Sequence, residues 1–111
     1  MGTWLKLAFC NAVLVLSLTI GAQPLRAADS KVHHLAIQVS VNDPAVMNLA
    51  LNNAANVAQD YNAKGEEVEI EIVAYGPGLH MLRDDTSPVK ARVKSFGESM
   101  PNVAFTACGN T

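Results

Sequence analysis

Thiols are scarce in this sequence: of 111 residues only Cys10 and Cys108 are cysteine, and no CxxC pair occurs. An internal dithiol oxidoreductase is thereby excluded. Cations are few as well, eight Lys and Arg against ten Asp and Glu. A mildly acidic chain has no clustered cations to neutralise a phosphate backbone, so no nucleic acid is expected as a partner. HExxH and phosphate-loop patterns are missing, and His33 and His34, adjacent on an expected strand, point to opposite faces and cannot hold one metal together. Neither a metal nor a cofactor is called for. Long apolar runs are absent with one exception, Leu5 to Ile20.

That exception carries its own meaning. Lys6 supplies one cation before or within the run, and Gln23-Pro24-Leu25-Arg26-Ala27-Ala28 breaks it and ends in small residues, the three-part pattern of a secretory signal peptide. Residues 1–27 are read as that signal, cut after Ala27 or Ala28, and 28–111 as the exported domain, in the periplasm and without a membrane anchor once cut. The run is short for a membrane span. Cys10 follows the bulky Phe9, which does not suit a lipid-attachment site. Lys6 and Arg26 leave with the signal, so six cations face ten acids in the rest, a balance of −4. Cys108 becomes the lone cysteine of the mature chain, in a compartment that oxidises thiols.

The mature part alternates strand and helix signals. Lys31 to Val41 places Leu35, Ile37, Val39 and Val41 on one face, the period-2 mark of a strand. Asp43 is a good N-cap and Pro44 a good first helical residue, with Val46, Ala50, Ala54, Val57, Ala58 and Tyr61 as the expected buried stripe up to Lys64-Gly65. Glu67 to Tyr75 predicts a second strand, stopped by Gly76-Pro77-Gly78. Beyond a loop through Arg83-Asp84-Asp85, Ser87 and Pro88 open a second helix, with Val89, Val93 and Phe96 on one face, ending at Gly97. Val103 to Cys108 is a short third strand. The order β-α-β-α-β predicts an α/β fold, a three-layer doubly wound parallel sheet. Ending at Thr111, it is incomplete at the C-terminus, so its uncovered strand faces should leave it marginal alone.

Glu67, Glu69 and Glu71 would be costly beneath a helix, which predicts that the second strand lies at an edge, in spatial order 2-1-3. That order puts a topological switch point between strands 1 and 3, where open α/β sheets bind ligands. Asn42 and Asp43 close strand 1 there, and Cys108 closes strand 3. Gly109 and Asn110 follow as the start of a turn, where a helix N-terminus would stabilise a thiolate. A buried, inert cysteine fits the same spacing. Gly76, Pro77 and Gly78 form a loop that lets backbone approach a ligand, and His80 stands where a proton could pass to a thiol, though such loops and histidines are commonly turns and packing. Asn48, Asn52 and Asn56 recur every four residues, as a subunit interface, a rim of the site or a solvated face. Lys90, Arg92 and Lys94 read as the solvent side of the second helix.

The set Val41-Asn42-Asp43-Pro44, Ala50-Leu51-Asn52-Asn53 with Asn56, Val73-Ala74-Tyr75-Gly76-Pro77-Gly78 and Ala107-Cys108-Gly109-Asn110-Thr111 resembles the DsrE/DsrF-like family, in its small exported branch. The likeness spans about residues 31 to 111 and stops short of the family's following helix and last strands. The resemblance implies a homo-oligomer and, as in the sulfur-relay members, a cysteine at the end of the third strand that carries a persulfide sulfur. By position that role falls on Cys108, with a partner thiol protein on the other side of the exchange. The alternative from the residues themselves is a noncatalytic oligomeric module that binds a small ligand or a partner, with Cys108 merely packed.

Overall fold

The computed structural model describes residues 31–110, and the expected signal peptide and its cleavage point lie outside the described residues. Three parallel strands and two helices alternate along the chain: β1 (Val32–Val39), α1 (Pro44–Ala63), β2 (Glu67–Ala74), α2 (Lys90–Ser99) and β3 (Val103–Ala107). The α/β class and the parallel sheet are as the alternating pattern predicts.

The strand order is β1-β2-β3, not 2-1-3. β2 is the central strand, paired with β1 along its whole length from Val32 opposite Glu67 to Val39 opposite Ala74, and with β3 from Ile70 opposite Val103 to Ala74 opposite Ala107. The layer count changes with it. Two right-handed crossovers that step in the same direction put their helices on the same face of a sheet. Accordingly Met47, Leu51 and Ala54 of α1, Val89 and Phe96 at and in α2, and Val39, Val68, Ile70, Ile72 and Val103 of the strands form one core. Among the described residues the fold has two layers, not three. The glutamates allow this central position: Glu67, Glu69 and Glu71 are exposed on the face that neither helix covers, so they incur no desolvation cost at the centre of the sheet.

Local chemistry fixes the elements. Asp43 caps α1 by accepting the Ala45 N–H at 2.7 Å, and Pro44 occupies the first turn, where its missing N–H is harmless. Gly65 takes φ of +70° to turn the chain out of the helix into β2. The buried stripe of α1 keeps Ala50 and Ala54 of the expected one, with Val57, Ala58 and Tyr61 packed against the core, but Val46 is exposed and Met47 and Leu51 carry the packing in the first turns. Because α1 sits over β1 and β2, its inward face is set by that crossing, and the apolar count on either flank does not decide it.

Between β2 and α2 the chain does more than turn. Gly76–Leu82 forms a 3₁₀ segment whose Met81 is fully buried. Ser87 accepts the Val89 N–H and donates to the Met81 carbonyl, tying this segment to the entry of α2. The helix starts at Lys90 and not at Pro88, and it runs through Gly97 to Ser99, since Val89, Val93 and Phe96 hold its inner face and Met100 N–H still donates to Phe96 at 2.8 Å.

Candidate functional site

In a parallel sheet every strand ends on the same side, so the carboxyl ends of β1, β2 and β3 gather Ser40–Asp43, Tyr75–Gly78 and Cys108–Asn110 along one edge. The expected switch point is not there. β1 and β3 flank β2 on opposite sides, and the three strands step in one direction without reversing. Asn42 and Asp43 therefore leave the end of β1 and Cys108, Gly109 and Asn110 the end of β3, on either side of β2, while the 3₁₀ segment that leaves β2 contacts β3 and also touches the end of β1.

Over β1 the edge is closed. Tyr75 N–H donates to the Val39 carbonyl at 3.1 Å, and the 3₁₀ segment that follows folds back against the end of β1. Gly78 is buried there so tightly that a Cβ would overlap the Val39 carbonyl and crowd the Ser40 amide. Gly76 adopts φ of +53° to make the bend. The glycines of Gly76-Pro77-Gly78 thus bring backbone close to backbone, and in this structure the surface they approach is β1 itself. His80 lies half-buried in the same segment, and its carbonyl accepts the Arg83 N–H. Asn42 is exposed, and the Asp43 carboxylate is engaged as the helix cap.

Over β2 and β3 the edge holds the cysteine. Cys108 N–H donates to the Ala74 carbonyl at 2.9 Å, which extends the ladder by one step and sets Cys108 level with Tyr75. Strand alternation from Thr106 directs the thiol to the face that the helices leave bare. Cys108 is half-buried, with Gly109 and Asn110 exposed in the turn beyond it. On that same face Thr106 donates to Glu71 at 2.6 Å, and Tyr75 leans toward β1, its hydroxyl donating to the Gln38 side-chain Oε1 at 3.4 Å. The phenol therefore points across β2, away from β3. The structure brings Cys108, Gly109 and Asn110 next to the end of β2, and sets Asn42 and Asp43 apart from them beyond the closed end of β1.

Several side-chain contacts were not legible in the spacing. Arg92, expected on the solvent side of α2, donates to the Asn48 side chain at 2.6 Å and to the Asn52 side chain at 2.8 Å, and also reaches the Asn48 carbonyl. Two of the three asparagines in the row thus bind α2 to α1. At the opposite end of the sheet His33 contacts Glu66 at 2.7 Å and stacks on Tyr61, while His34 on the other face contacts Glu69 at 3.3 Å. The two histidines diverge as expected, and no group of three metal-ligating side chains occurs among the described residues. In the loop before α2, the Arg83 guanidinium forks onto Asp85 at 2.9 and 2.7 Å, and this hydrogen bonding holds the Asp85 carboxyl well below the usual carboxylate range.

No helix among the described residues is long and apolar enough to cross a membrane. Comparison with known proteins found neither a matching family profile nor a matching curated protein. Among solved structures the chain is similar to a protein of unknown function, MTH1491 from Methanobacterium thermoautotrophicum, at 30% identity and a TM-score of 0.61, over 71% of this chain and 65% of that one. The chain thus spans just under two thirds of that protein's length, and the likeness shows the α/β fold.

Proposed function

We propose that the mature chain is a DsrE/DsrF-like sulfur carrier of the bacterial periplasm, working as a homo-oligomer, with Cys108 as the residue that holds the sulfur. The observation that carries this reading is the position of Cys108, at the carboxyl end of a parallel strand, level with the end of the central strand and followed by an exposed Gly109-Asn110 turn. It stands where the ordered motif of the resemblance puts the sulfur-bearing thiol.

The chemistry needs only the thiolate. Cys108 attacks the outer sulfur of a donor persulfide, a new S–S bond forms to Cys108, and the donor leaves as a thiolate that takes up a proton. Attack by a partner protein's thiolate on that outer sulfur reverses the sequence and regenerates the Cys108 thiol. No electrons are lost to an outside oxidant, and neither metal nor cofactor enters. Gly109 and Asn110 follow as an exposed turn, and the bare sheet face gives a partner room to approach.

Intact-mass analysis after exposure to a low-molecular-weight persulfide donor is the direct test. The expected result is one added sulfur atom on the protein, lost with dithiothreitol and absent in Cys108→Ser. A correctly folded protein that gains no sulfur would overturn the proposal and leave the noncatalytic binding module in its place.

A further inference from the structure

We draw no further inference here: the strongest candidate, the row of Glu67, Glu69 and Glu71 with His34 on the uncovered face of the sheet, is an acidic cluster for which nothing in the structure shows what covers it.

Discussion

At Gly78 a single hydrogen atom separates a tight fit from a collision. Its Cα rests against the carbonyl of Val39, a backbone group locked into the ladder, so an added methyl has no flexible side chain to displace. Gly78→Ala should therefore destabilise the fold by about 3 kcal/mol, at the upper end of overpacking effects, as read from urea unfolding. Gly97→Ala, at an exposed helical site with open space around it, should stabilise by about 0.5–1 kcal/mol. Asp85 offers a second test. Its carboxyl is depressed in the folded state by Arg83, so the pair's contribution is present above the unfolded carboxylate range and is lost only as pH falls through the lower, folded value. In a carboxyl NMR titration Asp85 should titrate well below the ordinary ~3.9, and Arg83→Gln should return it to that range. An Asp85 midpoint near the ordinary value in the unsubstituted protein would show that the fork does not persist in solution.

Among the elements, the joint between α1 and α2 depends on one side chain. Arg92 spans the two helices through Asn48 and Asn52, partly shielded from solvent. Arg92→Ala should cost about 1–2 kcal/mol, and a double-mutant cycle with Asn48→Ala should give a coupling of about 1 kcal/mol. Arg92→Lys should recover little, because an ammonium cannot fork onto two amides at once. The packing of α1 yields a sharper contrast: Met47→Ala should cost about 2–5 kcal/mol, whereas Val46→Ala, one position earlier but exposed, should stay within about 0.5 kcal/mol. The sequence carried the strands and the N-cap of α1 plainly, because period-2 alternation and Asp-Pro are local signals. It did not carry the burial of Met47 and Leu51 in place of Val46, which the crossing of α1 over β1 and β2 decides, nor the partner of Arg92, which lies forty-four residues away. The 3₁₀ segment was hidden for a related reason. Gly-Pro-Gly reads as a stop, and only the buried Met81 and the contact with Val39 reveal that the chain coils back onto the sheet.

For the molecule as a whole, the glutamate row was the signal that misled, and its physics explains how. Alternating charge on a strand reports a face without a covering layer, and it does so equally at an edge and at the centre. An edge position for β2 would give order 2-1-3 and a switch point beside β1; its central position removes both. The cysteine's place at the carboxyl end of β3 survived, because it follows from strand direction alone. The bare face also makes the charges protective: replacing Glu69 and Glu71 with valine would turn an exposed acidic strip into an apolar one. That variant should self-associate in sedimentation velocity at concentrations where the parent does not. The central position of β2 has one more effect, in the time domain. Its amides alternate between the two neighbours: Ile70 N–H donates to Asn102 at the start of β3 and Tyr75 N–H to Val39 of β1, so Ile70 and Ile72 are held by β3 and the odd-numbered positions by β1. Hydrogen exchange at Ile70 and Ile72 should therefore keep time with the detachment of β3, while Glu69, Glu71 and Val73 of the same strand exchange only as β1 opens.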